Sequence, residues 1–151
     1  MIRKATIEDI RPIFDMIAAY HDEAVKHHGL PLDFDPDSVV AQLGTWLWRT
    51  EYQINLVADG GVMLGEVQTT WFGNNLFGKP HAIYIYPKHR NGLLARAFIR
   101  RFDREARALG ALGVIWDNWA GISDRNMLGS LMEKFGYFEN GQVFAKVFHG
   151  D

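Results

Sequence analysis

Residues 83–110 read IYIYPKHRNGLLARAFIRRFDREARALG, and the place of every other element follows from how this stretch folds. The run His81–Tyr86 is β-branched and aromatic, which predicts a strand. Pro87 ends it, because proline donates no ladder hydrogen bond. Lys88, His89, Arg90, Asn91 and Gly92 then make a turn with positive charge and one flexible residue. From Leu93 onward, Leu94, Phe98, Phe102 and Ala106 recur every fourth residue, so a helix with one apolar face follows.

A strand that feeds a helix through such a turn leaves the first helical N–H groups without intrahelical partners. The macrodipole adds positive potential there, and together they make an anion site. Arg90, just before it, brings a planar donor suited to phosphate. Pyrophosphate binding is the chemistry expected. The plainer alternative is a strand–helix corner whose basic residues are simply solvated.

The segment IYIYPKHRNGLLA also resembles the acetyl-CoA-binding motif of the GNAT superfamily of N-acetyltransferases. That motif is a hydrophobic strand, a proline, and Q/R-x-x-G-x-G/A opening a helix. Arg90 matches its first position and Ala95 its last, while Leu93 stands at the middle glycine and Gly92 falls one place early. The opening of the chain, a strand followed by TIEDIRPI, is similar to the start of GNAT chains. Near the end, EKFGY before a final strand is similar to the family's Y-x-K-x-G-F.

In chain order, Ile2–Ala5 predicts a short strand, and Asp9 a cap for a helix with Pro12 in its first turn. Ile10, Ile13, Ile17, Tyr20 and Ala24 form that helix's buried stripe, which ends by Gly29. Asp35 followed by Pro36 starts a second helix, running to about Thr50. Strands Tyr52–Asp59 and Val62–Trp71 flank a Gly60-Gly61 hairpin turn. Phe72–Pro80, rich in Gly and Asn, reads as a loop. After the organising strand and helix come a strand at Gly113–Asn118, a helix from about Asp124 to Phe135 stopped by Gly136, and a last strand at Gln142–Phe148. The order β-α-α-β-β-β-α-β-α-β predicts an α/β fold with a GNAT-like mixed sheet, as a single domain over residues 1–151.

Composition narrows the function classes. At 48% hydrophobic and 23% charged the chain is globular, and no apolar run approaches the roughly 20 residues of a membrane span. MIRKATIEDIRP lacks the apolar centre of a secretory signal. The absence of cysteine excludes disulfides, zinc-thiolate sites and thiol nucleophiles, and fits a cytoplasmic setting. A net charge of −2 gives no electrostatic basis for binding nucleic acid. The five Trp hint at an aromatic pocket or partner surface, with Trp46, Trp48, Trp71 and Phe72 as a candidate wall.

The resemblance implies transfer of an acetyl group from acetyl-CoA, as cosubstrate, to a small-molecule or peptide amine acceptor. It implies pantetheine along Ile83, Tyr84 and Ile85, and pyrophosphate on the amides of Asn91, Gly92, Leu93, Leu94, Ala95 and Arg96. The tyrosine that serves as acid in many relatives is replaced by Met132, and Asn126 stands one place from a position that Arg125 occupies. Tyr84 or Tyr86 is then the candidate acid. For the base, Glu66 between Gly65 and Val67 and Asp117 at a strand end are candidates, because a carboxylate among apolar neighbours is drawn toward neutral pH. His81 is a third. The rival expectation is a catalytically weak or inactive GNAT-fold binding or structural protein, and a homodimer through the last strand is a further one.

Weaker signals read as structure. His21, His27 and His28 with Asp22 and Glu23 fall on different sides of one helix, so no metal is expected. Asp33, Asp35 and Asp37 lack the glycine and closing glutamate of a calcium loop. Arg96, Arg100, Arg104 and Arg107 form a solvated basic ridge, with Asp103 and Glu105 as partners.

Overall fold

The computed structural model describes residues 1–28, 31–48, 51–116, 131–139, 144 and 146–148. Its elements are β1 (Arg3–Lys4), α1 (Ile10–His28), α2 (Pro36–Trp48), β2 (Gln53–Ala58), β3 (Gly61–Thr69), β4 (Leu76–Ile85), α3 (Leu93–Ala108) and β5 (Gly113–Val114). The sheet runs β1-β2-β3-β4-β5, antiparallel from β1 to β4 and parallel between β4 and β5. This is the expected mixed α/β sheet.

Local chemistry starts both early helices. A 3-10 turn, Ile7–Asp9, leads into α1. Asp9 reaches back to accept the Thr6 N–H at 2.8 Å and takes two hydrogen bonds from Arg3, at 2.8 and 2.7 Å. At α2, Asp35 accepts from the Asp37 N–H at 3.1 Å and the Ser38 hydroxyl at 2.7 Å, with Pro36 in the first position. The missing N–H of Pro36 costs nothing there.

The sheet buries both faces. Against α3 lie Ile54, Leu56, Met63, Val67 and Ile85, packed on Phe98, Phe102 and Ala106. Against α1 and α2 lie Val57, Val62, Leu64 and Tyr84, packed on Ile13, Met16, Leu43 and Leu47. Alternation with period two places the neighbours Leu56 and Val57 on opposite faces. Each large side chain so buried contributes about 1.5–3 kcal/mol.

The loop expected at Phe72–Pro80 is shorter, because β4 begins at Leu76. Gly78 and Pro80 disguise the strand, and both have a packing reason. A Cβ on Gly78 would lie 3.0 Å from the Ala106 Cβ, and one on Gly65 would lie 2.6 Å from the Phe102 ring. α3 therefore rests directly on the sheet backbone. Pro80 sits at a bulge: Gly65 pairs with Pro80 and Leu64 with Ala82, which leaves His81 as the extra residue. The first hairpin also turns one residue earlier than expected, since Ala58 pairs with Gly61 across Asp59 and Gly60.

β5 pairs with β4 at Phe77 and Gly78. Leu112 and Ile115 donate to the carbonyls of Leu76 and Gly78, at 2.8 and 2.9 Å. By alternation the next residue facing β5 is Pro80, which has no N–H to continue the ladder. Among the described residues, pairing on that side of β4 goes no further.

Residues 131–134 are helical, and Gly136 follows with φ +83°. The rest of the helix predicted from Asp124, and Asp117 to Asn118 of the predicted strand, lie outside the described residues. So do residues 142, 143 and 145 of the run Gln142–Phe148, whose described members, Phe144 and residues 146–148, are not in strand.

Candidate functional site

The corner between β4 and α3 is built by the turn Pro87–His89 and by Gly92, whose φ of +83° only glycine adopts without strain. The Leu93 N–H is taken by the Asn91 side-chain oxygen at 3.1 Å. Beyond it, the amides of Leu94 and Ala95 have no intrahelical acceptor upstream. The Leu93 side chain is 67% exposed, so it turns to solvent rather than into the corner. Arg96 is exposed on the first turn of α3. A groove of about 330 Å³ runs beside the corner, lined by His89, Asn91, Leu93 and Leu94 among others.

Arg90 is engaged elsewhere. Its Nε donates to the Ile85 carbonyl at 2.7 Å, and its Nη2 donates to both carboxylate oxygens of Glu23, at 2.8 and 2.9 Å. The guanidinium lies 5.3 Å over the Tyr84 ring. Tyr84 is buried, and its hydroxyl donates to Glu23 at 2.7 Å. Burial first, and then the bond to Glu23, push the Tyr84 hydroxyl up to about 12. It is a donor committed to Glu23. Arg90 thus braces the turn onto α1.

The Tyr86 N–H donates to the Gly60 carbonyl at 2.9 Å. Alternation then points the main-chain groups of Ile85 and Ile83 away from β3. The Ile85 carbonyl, held by Arg90, agrees. Ile83 therefore presents its main chain toward the β5 side of β4, where pairing among the described residues goes no further than Gly78.

On the α1/α2 side of the sheet a second cluster forms. Glu66 stands opposite Gln53 in register and accepts from Gln53 Nε2 at 2.8 Å. Its other oxygen lies 3.6 Å from His81 Nε2, within ion-pair reach and beyond hydrogen-bond length. The His81 ring stacks on Trp46, at 5.2 Å between centroids and 9° between planes. Asn55 anchors the end of α2 by donating to the Trp46 carbonyl at 3.1 Å.

Sequence reasoning missed the roles of Glu23 and Gln53. Counting back from a turn placed at Asp59–Gly60 pairs Gln53 with Glu66, so that neighbour was legible. Nothing local signals Glu23, whose partner Tyr84 is 61 residues away.

Other sequence candidates sit apart. Asp117 and Asn126 lie outside the described residues. Met132 is buried, and nearby Tyr137 donates to Asp103 on α3. Glu105 pairs with Arg101 and Lys4 rather than with the basic ridge. Trp48, Trp71 and Phe72 are exposed, the last two stacked on each other. Among the described residues, no three histidines or carboxylates gather as a metal site, and no helix is long and apolar enough to cross a membrane.

The mixed five-stranded sheet with its helices is that of the GNAT fold, shared with solved acetyltransferases. An aminoglycoside 6'-N-acetyltransferase from Acinetobacter haemolyticus aligns over 100% of this chain and 99% of its own, with TM-score 0.71 and 14% identity. Glucosamine-6-phosphate N-acetyltransferase from Arabidopsis thaliana aligns over 99% and 98%, with TM-score 0.70 and 13% identity. An integron cassette protein from the mobile metagenome of Cole Harbour Salt Marsh aligns over 99% and 91%, with TM-score 0.75 and 14% identity. At such identities the likeness is one of fold. No family model and no curated protein matches the chain.

Proposed function

We propose that this protein transfers an acetyl group from acetyl-CoA to an amine. The observation that carries the reading is the N-terminus of α3, with Leu93 exposed, beside a stretch of β4 where, among the described residues, pairing with β5 goes no further than Gly78. The residues present fit the cosubstrate. The amides of Leu94 and Ala95, with Asn91, Gly92, Leu93 and Arg96 around them, would hold the diphosphate. The main chain of Ile83, flanked by Tyr84 and Ile85, would pair with the pantetheine arm. Arg90 acts by bracing the turn.

Bound there, acetyl-CoA would supply an activated thioester. The chain's own part is to orient the acceptor and manage its protons. An ammonium acceptor enters with three N–H protons: the amide product keeps one, the thiol carries one away, and one goes to a base. Glu66 and His81 are the described groups placed to receive it, with Asp117 a further candidate. Amino sugars are the acceptors to try first, because two of the fold's neighbours are named for them.

Calorimetric titration with acetyl-CoA tests the reading, and absence of binding at millimolar cosubstrate overturns it. The rival reading is a binding protein on the same fold. It draws on Met132, a buried apolar residue at the acid's position. Acetyl-CoA bound without turnover on any amine would favour it.

A further inference from the structure

We infer that His81 takes the proton from the incoming ammonium and that Glu66 is the positioning residue that keeps it able to do so; this deepens the acetyl-transfer reading and rests on it. The bulge is the starting point. As the extra residue of β4, His81 is released from the sheet's strict alternation, which re-aims its side chain. Its ring reaches both Glu66 on β3 and Trp46 on α2. It stands two residues before Ile83, roughly 7 Å along the strand at about 3.4 Å per residue, beside the edge assigned to the pantetheine arm. Its side chain is 28% exposed, so an acceptor can reach it.

The carboxylate 3.6 Å from Nε2 attracts a proton at that nitrogen by charge rather than by a hydrogen bond, and the Nδ1 lone pair is then left to accept. Glu66 is itself fixed by Gln53 through the cross-strand register. When the ammonium N–H bond breaks, its electron pair stays on nitrogen as the nucleophile's lone pair and the proton bonds to Nδ1. Water later removes that proton. The imidazolium so formed lies 3.6 Å from a carboxylate oxygen and flat on an indole. Of the charged groups near His81, Glu66 lies 3.6 Å from its Nε2 and Lys79 stands opposite Glu66 on β4. Trp46 stacks on its ring and Gln53 bonds to Glu66, both without charge.

The test combines kinetics with a measurement that needs no acceptor. With acetyl-CoA and an amino sugar, a polyamine and a lysine peptide as acceptors, His81→Gln lowers kcat about a hundredfold or more. KM for acetyl-CoA and the unfolding temperature stay as in the unaltered chain. Glu66→Gln costs about tenfold and adds little on top of His81→Gln, because the pair acts as a unit. Nitrogen NMR of the neutral His81 ring shows the Nε2–H tautomer in the unaltered chain and a mixture in Glu66→Gln. A His81→Gln enzyme within about threefold of the unaltered kcat overturns the inference but spares acetyl transfer. An Nδ1–H tautomer overturns it even where no acceptor in the panel is used. A chain that binds no acetyl-CoA removes the transfer reading and this inference with it.

Discussion

Glu23 holds Arg90 with both carboxylate oxygens, at 2.8 and 2.9 Å, across 67 residues of sequence. The same carboxylate accepts the Tyr84 hydroxyl at 2.7 Å. One residue of α1 therefore ties down both the end of β4 and the turn that leads into α3. Glu23→Ala leaves the buried Tyr84 hydroxyl without its charged acceptor, and is expected to cost about 1–3 kcal/mol. In that background Tyr84→Phe should cost little more, since the hydroxyl has already lost its partner. Urea unfolding of the two single variants and the double variant measures the coupling, and simple additivity would rule it out.

The corner makes a separate prediction. Because the Leu93 side chain faces solvent, Leu93→Ala is expected to leave acetyl-CoA affinity within about threefold. Arg96→Glu places a carboxylate on the exposed first turn of α3, and should weaken acetyl-CoA binding about tenfold or more at low salt. The helix itself should not suffer, because a negative charge near its N-terminus is favourable. Calorimetry and a thermal melt separate the two effects. Equal affinities for unaltered chain and Arg96→Glu would place the diphosphate elsewhere.

These residues also mark what the sequence reveals. The apolar spacing of α3 and the Asp35-Pro36 start of α2 are local signals, and both elements appear where those signals put them. β4 was half hidden. Gly78 and Pro80 are unfavourable strand residues, and only the close approach of Phe102 and Ala106 and the bulge at His81 explain them. The turn before α3 was legible as an anion corner, but the partner of Arg90 was not. That partner sits on α1, and ion pairing between distant elements leaves no periodic trace. The stack of His81 on Trp46 is of the same kind, since it needs the bulge and the end of α2 together.

Acid sensitivity begins at Asp9. Its bonds from Arg3, and then from the Thr6 N–H against the cost of burial, lower its carboxyl from 3.8 to about 2. A depressed carboxylate contributes stability that is present above its unfolded value and lost as pH falls through the folded one. The contribution, on the order of 2 kcal/mol, should therefore vanish between about pH 4 and pH 2. Asp9→Asn should be less stable than the unaltered chain at pH 6 and nearly equal to it at pH 2. A constant difference between the two across that range would show that Asp9 is not the group responsible.

Asp103 should give the opposite slope. It sits part-buried on α3, where burial raises its carboxyl above the usual range, against the lowering effects of the Tyr137 hydroxyl and Arg107. The native state then holds its proton more tightly than the unfolded chain does. Stability from this group is greatest below the ordinary carboxylate value and declines as pH rises through the raised one. Asp103→Asn removes that titration and keeps an oxygen to accept from Tyr137. Its deficit relative to the unaltered chain should therefore shrink as pH rises from about 4 toward neutrality. Tyr137→Phe removes the bond that opposes the rise, which should push the Asp103 carboxyl higher and carry the decline to higher pH. Chemical unfolding of the three proteins at a series of pH values tests both statements. A deficit for Asp103→Asn that grows with pH would mean that the bond to Tyr137 outweighs the cost of burying the charge.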